Sequence, residues 1–406
     1  MSPSVTVLLA VHNGGGYLSQ AIESVFAQSY GDFELLVVDD ASDDDSPEYL
    51  ASLRDPRVRV VRNERNLGQV PSLNRGLSEA RGGYIARIDA DDVMLPTRLA
   101  RQVEILETDT RVGLVGTWMV VVDDRGRRWG TTRGRIENYA DFVSALLVNR
   151  LPFGHPSIMF RREAVQRLGG YDESLAPSED KDLYRRLALE RYEARVVPDA
   201  LVRYRRHDAQ LSQLQVERQL ATDFAGHERF LTELSGSHAA RALRLLLAAD
   251  PAFWDEPTLH DLAGFVESTT ERLGLQPGER DAVARTVAAQ CAHTLFRAWS
   301  TNAPVDSRAA AALVRFARNN GRAGTRAAVA LQPVVRGTRP LGAGLRRSRT
   351  LARRALRHSE RLAPLRARAR RSRTLSRLYA ALLGFQLVDD GVDGSERVHV
   401  PREPRS

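Results

Sequence analysis

Four short apolar runs, Val5 to Val11, Phe33 to Val38, Val58 to Val61 and Tyr84 to Ile88, alternate with amphipathic stretches at the start of this chain. Three of them end in polar clusters: HNGGG, DDASDDD and DADD. Runs of four to eight such residues bounded by turn signals read as buried strands. Between the first two, Leu18, Ile22, Val25 and Phe26 recur at helical spacing within Leu18 to Gln28, and a further helix is expected over Val70 to Ala80. Strand and helix in alternation imply an α/β chain with a parallel, Rossmann-like sheet and right-handed crossovers. Ligands of such sheets lie beyond the carboxyl ends of the strands, where the acid and glycine clusters fall.

The pattern then loses its regularity. A helix from about Pro96 to Thr108 precedes a strand through Val112 to Val122 with a DDRG turn. A helix near Ile136 to Val148, a short strand in SIMF and a helix beginning near Arg161 follow. SEDKDLYRRLALE reads as a helix and EARVVPDALVRYRRH as a late strand interrupted at Pro198. This half is expected to share the first sheet and to end near Ser212. Three regions result: 1–212, a mainly helical 213–335, and a basic amphipathic tail 336–406 whose acidic end is expected to be disordered. The hexapeptide RRSRTL occurs at Arg346 to Leu351 and again at Arg370 to Leu375, too few copies for a solenoid.

Composition narrows the function classes. No run approaches the roughly 18 uninterrupted apolar residues of a spanning helix, and MSPSVTVLLAV lacks a basic start and a cleavage site. Cys291 is the only cysteine, so no internal disulfide can form, which fits a cytoplasmic location. The net charge of +8 belongs to the tail, where thirteen Arg between Arg346 and Arg377 face Glu360 alone. The rest of the chain is mildly acidic.

IDADD at Ile88 to Asp92 crowds three carboxylates at a strand mouth, an arrangement that is costly unless a cation sits among them or the turn is solvated. If the strand continues through it, Asp89 and Asp91 point the same way. Two hard oxygen ligands on one side suit Mn²⁺ or Mg²⁺. Asp92 reads as a solvated turn residue, and Asp43 to Asp45 as caps of the following helix.

From Val5 to about Ser212 the chain resembles the family 2 glycosyltransferases of the GT-A fold. The resemblance rests on VTVLLAVHNGGGYLSQAIESVFAQSYGDFELLVVDDASDD, RNLGQVPSLNRGLSEARGGYIARIDADD, HPSIMFRRE, GGYDES and SEDKDLYRRL, in that order. It implies a nucleotide-diphosphate sugar donor, a glycan or lipid-linked hydroxyl acceptor, Mn²⁺ or Mg²⁺, and inverting transfer. Residue by residue, it gives the donor to Asp39 and Asp40, to the backbone around Val11, His12 and Asn13, to Asn66 and Gly68, and to Asp89. The metal falls to Asp91, with Asp89 and His207 as further ligands, and the base to Asp180. Glu179 and His155 lie on the acceptor side. Where the family often carries an Arg before the Asn of the third helix, this chain has Leu73.

For several of these residues a plainer role stays open. Ser178, Glu179 and Asp180 read equally as an N-cap and two acids favoured by a helix dipole. His207 reads as an exposed His among Arg residues, and His155 as a packed or capping one. Two other functions compete. A nucleotidyltransferase would carry Lys or Arg in its glycine-rich loop, and VHNGGGYLSQ has neither. A nucleic-acid binder is suggested by the Arg-rich tail, but only Tyr379 and Phe385 there could stack on bases. Leu375, Leu378, Tyr379, Leu382 and Phe385 lie at helical spacing beside Arg, which suits attachment to the anionic inner face of the plasma membrane.

Overall fold

A computed structural model of the chain describes residues 2–207, 210, 214–236, 256–300 and 387–388. Strands β1 (Val5–Val11), β2 (Phe33–Asp39), β3 (Val58–Arg62) and β4 (Tyr84–Asp89) form a parallel half-sheet in the order β4-β1-β2-β3. Helices α1 (Leu18–Phe26), α2 (Ser46–Ser52) and α3 (Gln69–Glu79) make the crossovers. Side chains of β1 alternate between two cores: Leu8 packs with Val70, Leu73 and Leu77 of α3, while Val7 and Leu9 pack with Leu18, Ile22 and Val25 of α1. Leu73 is fully buried, as a core residue.

The second half continues the same sheet, which is mixed. It comprises β5 (Val93–Met94), α4 (Arg98–Thr108), β6 (Val112–Asp123), β7 (Arg128–Thr132), α5 (Tyr139–Leu147), β8 (Met159–Arg161), α6 (Arg162–Arg167), α7 (Glu179–Leu189) and β9 (Glu193–Arg206). β8 lies antiparallel between β4 and β6, and β9 runs parallel to β6 from Val112↔Glu193 to Asp123↔Arg206. Ser157, expected in the short strand, instead closes a 3₁₀ turn. Pro198 does not break β9. The register with β6 steps from Thr117↔Val197 to Trp118↔Ala200, so Pro198 and Asp199 are extruded and no ladder bond is lost to the missing N–H. β5, two residues long, is too short and β7, RWGTT, too polar to show in the sequence pattern.

A seam marks the junction of the halves. β8 pairs with β4 only as far as Ala86 and with β6 only at Leu114 and Val115. Beyond that, one backbone bond remains, from Arg87 N–H to the Ile158 carbonyl (3.0 Å), and side chains of α4 supply the rest. Arg98 Nη2 donates to the carbonyls of Arg87 (2.8 Å) and Ile158 (2.9 Å), and Gln102 Nε2 to those of Val115 (2.7 Å) and Ser157 (3.0 Å). Burial, and then the charge of Arg87, pull the Arg98 guanidinium down to about 9.

Helices α8 (Val216–Ser235), α9 (Glu256–Arg272) and α10 (Pro277–Ser300) follow. Their Phe230, Leu231, Leu234, Phe265, Leu273, Val283 and Val287 belong to the same core as Leu8 and Val38. Residues 301–335, both RRSRTL copies and the stripe from Leu375 to Phe385 lie outside the described residues. Leu387–Val388 adds a short strand, β10, antiparallel to β7. Among the described residues no helix is long and apolar enough to cross a membrane.

Candidate active site

The loops after β1 and β2 are stitched together by the residues expected to meet a donor. His12 Nδ1 lies 2.9 Å from the Asp40 carbonyl, the Asn13 N–H donates to Ser42 Oγ (2.9 Å), and Asn13 Nδ2 to Asp43 Oδ1 (2.7 Å). Asn13 adopts φ 56°, the left-handed region that Asn tolerates better than most residues. Asp44 accepts from Gly15 N–H as well as Ser46 N–H. The acids of DDASDDD thus act mainly as clamps between loops; Asp45, the residue preceding α2, makes no side-chain cap bond. Only Asp44 meets the expected capping role, in part.

Asp39 and Asp40 are buried and partnered. Asp39 accepts from Ser42 N–H (2.9 Å) and Arg62 Nη1 (2.6 Å). Asp40 accepts from Asn63 Nδ2 (2.7 Å), Leu67 N–H (2.9 Å) and Gly68 N–H (2.8 Å). Asn66 Oδ1 also reaches Gly68 N–H, where φ is 95°. Val11, His12, Asn13, Asp39, Asp40, Asn66 and Gly68 therefore form one connected rim at the carboxyl ends of β1 and β2.

At the mouth of β4 the chain turns instead of continuing as a strand: Asp92 N–H donates to the Asp89 carbonyl at 3.2 Å. The turn, not strand alternation, gathers the three carboxyls, whose oxygens lie within 4.8 Å of one another. Asp92 is fully buried, contrary to its expected solvation. Arg205 of β9 is the reason: its N–H donates to Asp92 Oδ1 (2.8 Å) and its Nε to the Asp91 carbonyl (3.0 Å). Burial, then repulsion from Asp91 and Asp89, raise the Asp92 carboxyl well above the ordinary range. His207 is not a stray surface histidine. Its Nε2 lies 2.8 Å from Asp91 Oδ2, and its ring packs 5.2 Å from that of Tyr17.

These donors fit a hard divalent cation. Asp91 and His207 remain partly accessible, the crowded carboxyls would be relieved by positive charge, and Asp92 Oδ2 is buried without a partner. Asp89 is shared, because its Oδ2 also pairs with Arg87.

Arg87 connects this cluster to a second one. It sits in β4 with only 2% of its surface exposed. Burial opposes its charge, but Asp89, Tyr171 and Asp92 outweigh that and hold the guanidinium above its usual range. Across from it, Glu179 and Asp180 open α7. Burial and the adjacent Asp180 push the Glu179 carboxyl up to about 7, with Arg87 and Asp89 close enough to act on it. Burial raises Asp180 as well. His155 Nε2 bonds the Tyr171 hydroxyl at 2.9 Å, and its Nδ1 lies 3.9 Å from Glu179 Oε1. Burial, then Arg87, keep this imidazole well below its usual range, so as a neutral ring it donates from one nitrogen and accepts at the other. Ser178 does not cap α7 with its side chain; its hydroxyl donates instead to the Gln219 carbonyl of α8 at 2.9 Å.

Sequence reasoning missed Arg87, Arg205 and Tyr171. An arginine inside the buried run YIARID was the available signal, since a charge there needs a partner.

Residues 6–169 match the family described as Glycosyl transferase family 2. Over 209 residues the chain is 34% identical to a putative glycosyltransferase of Bacillus subtilis, EpsE, spanning 50% of this chain and 73% of that one. It is 31% identical over 207 residues to an uncharacterized glycosyltransferase of Methanocaldococcus jannaschii, MJ1057, spanning 50% and 71%. It is 30% identical over 213 residues to the O-antigen biosynthesis glycosyltransferase WbnJ of Escherichia coli, spanning 50% and 80%. The mixed sheet, the acids gathered at its strand ends and these matches agree: the chain is an enzyme of glycosyltransferase family 2.

Proposed function

We propose that this glycosyltransferase moves a sugar, with inversion, from a nucleotide-diphosphate sugar to a hydroxyl of a glycan or lipid-linked acceptor, in the synthesis of a polysaccharide or surface glycan. One observation carries the reading. Buried Arg87 contacts Asp89 and acts electrostatically on Glu179 and Asp180, which sets the metal-fitting acids and the candidate base near one another at the carboxyl end of β4, in the middle of the sheet. The O-antigen role in the name of WbnJ supports a glycan product.

In this reading the rim of Val11, His12, Asn13, Asp39, Asp40, Asn66 and Gly68 receives the nucleotide. Asp91 and His207, with Asp89 beside them, hold Mn²⁺ or Mg²⁺. Such a cation supplies positive charge to the leaving diphosphate. Asp180 accepts the proton of the acceptor hydroxyl as its oxygen bonds to the anomeric carbon. The bond from that carbon to the diphosphate breaks in the same step, its electron pair leaving on the diphosphate oxygen. Only Oδ1 of Asp180 has a bond within the described residues, from the Lys181 N–H at 2.8 Å. Glu179 and His155 hold the acceptor. Residence at an anionic cytoplasmic membrane surface, through the basic tail, belongs to the same proposal.

The test is a panel of UDP-, GDP- and dTDP-sugars with Mn²⁺, and a CMP-sugar, which has no diphosphate, as the expected non-donor, read as nucleotide release and as protection against thermal unfolding. One donor class should do both, only with metal. Asp180→Asn should keep the protection and lose transfer by about a hundredfold or more, the scale of general-base catalysis. No response to any donor overturns the donor reading, and full transfer by Asp180→Asn overturns the base.

A further inference from the structure

The turn that carries Glu179 and Asp180 is gripped by α8, and the grip centres on one carboxylate. Asp223 is buried; its Oδ1 lies 2.7 Å from Arg185 Nη2, and its Oδ2 accepts from Lys181 Nζ at 2.5 Å and Asn149 Nδ2 at 2.8 Å. Arg185 Nη2 also reaches Asn149 Oδ1 at 3.2 Å. Burial opposes the charge of Asp223, but Lys181 and Arg185 outweigh it and hold the carboxyl well below the ordinary range. Ser178, Gln219 and Thr222 fasten the same turn from the other side.

Lys181 follows Asp180 directly. A long, flexible ammonium beside a base would find it readily, and such a pair makes a carboxylate a poorer proton acceptor. In the structure the ammonium is taken by Asp223 instead. We infer that Asp223 is a positioning residue for the transfer reaction: by holding the Lys181 ammonium on α8, it keeps that cation from neutralising Asp180. Burial raises the Asp180 carboxyl; even when held by Asp223, the Lys181 ammonium is the charge that most lowers it, while Asp223 itself raises it. The other groups facing Asp180 are Glu179 before it, Arg87 from β4, and the hydroxyls of Tyr171 and Tyr184. Of the cations among them, Arg87 is held by Asp89, which leaves Lys181 as the one that Asp223 controls. The inference rests on Asp180 being the base.

The experiment compares wild type, Lys181→Met, Asp223→Asn, the double variant and Asp180→Asn at saturating donor. Asp223→Asn should lower kcat for transfer roughly tenfold, leave the donor KM within about twofold, and move the acidic limb of the kcat profile to lower pH, as a base paired with a cation requires. Adding Lys181→Met should restore kcat and bring the limb back up, while Lys181→Met alone leaves kcat within about twofold and moves the limb only to higher pH, since the ammonium already lowers Asp180 from its place on Asp223. Equal impairment of Asp223→Asn and the double variant, or a tenfold loss in Lys181→Met alone, overturns the inference. A fold lost with Asp223 does not end the test. Lys181 is the sole lysine, so ¹³C-lysine enzyme gives one ε-methylene signal, and Asp180→Asn should displace its titration only slightly; a displacement of about a unit or more means Lys181 pairs with Asp180 and refutes the idea. Normal transfer by Asp180→Asn would instead sink the base reading itself.

Discussion

Glu179→Gln should make the protein more stable at pH 8 and leave it nearly unchanged at pH 4. Glu179 is 3% exposed, and burial together with Asp180 raises its carboxyl from 4.5 to about 7. The folded state therefore holds this proton more tightly than the unfolded chain does. Stability is at its fullest below the unfolded value, falls as pH rises through the window from about 4.5 to about 7, and stays low above it. At about 1.4 kcal/mol per unit, the ionised carboxylate costs the folded state up to about 3 kcal/mol. Glutamine has the same shape and no charge, so at pH 8 the variant should gain most of that amount. Because the more distant titrating groups are common to both proteins, the difference in urea midpoint between variant and wild type reports Glu179 together with the neighbouring Asp180 that it repels. A variant no more stable than wild type at pH 8, or stabilised equally at pH 4 and pH 8, would refute the account. Oε2 of Glu179 has no hydrogen-bond partner, so the amide finds no acceptor there, but neither does the protonated acid at pH 4, and that comparison therefore stays near neutral.

Asp91→Asn should abolish turnover and metal-dependent protection by donor, since an amide cannot balance the cation; activity that survives excess chelator refutes the metal assignment. Gly82→Ala should destabilise by at least about 2 kcal/mol, read by urea unfolding, because overpacking against backbone finds little relief: its Cβ would lie 2.4 Å from Thr6 N and 2.6 Å from Val5 C. An unchanged midpoint would mean that the β3–β4 connection shifts freely. The intact chain should sediment with anionic vesicles but not neutral ones, and less as salt rises, at on the order of 1 kcal/mol per Arg near the surface; equal sedimentation after replacing the Arg residues of 346–377 with Gln refutes the membrane reading.

The parallel half was legible because β1, β2 and β4 are largely buried on both faces and the helices on one, so periodicity separates them; β3, at the edge and half-exposed, showed only by its β-branched residues. β1 begins and ends where the apolar run does, and β4 runs one residue beyond it. That Asp91 and His207 lie together was suggested only by the family resemblance, the residues alone reading His207 as an exposed histidine. The burial of Asp92 was not suggested at all, because the group that buries it, Arg205, lies 113 residues away. Ser178 looked like a cap since Ser before two acids is the usual cap pattern, but α8 supplies a competing acceptor that local sequence cannot reveal. Helices α8 to α10 were expected as a region of their own. Their apolar faces showed in the sequence, but not the surface they cover, and Phe230 and Val283 in fact close the core begun by Leu8.

The seam between β4 and β6 has a mechanical consequence. A continuous ladder passes shear from strand to strand, one peptide at a time. Here only the short β8 carries that continuity, and beyond it two side chains rooted on α4, Arg98 and Gln102, reach four carbonyls. The sheet is in effect two plates joined by a narrow strip and riveted from behind, one bearing the nucleotide rim and the other meeting α7 through α5. Their relative tilt is set by α4, which supplies none of the donor, metal or acceptor contacts proposed above. Reshaping α4 would re-aim one plate against the other with every contact residue intact, a route by which such a chain could change the alcohol it glycosylates while keeping its donor.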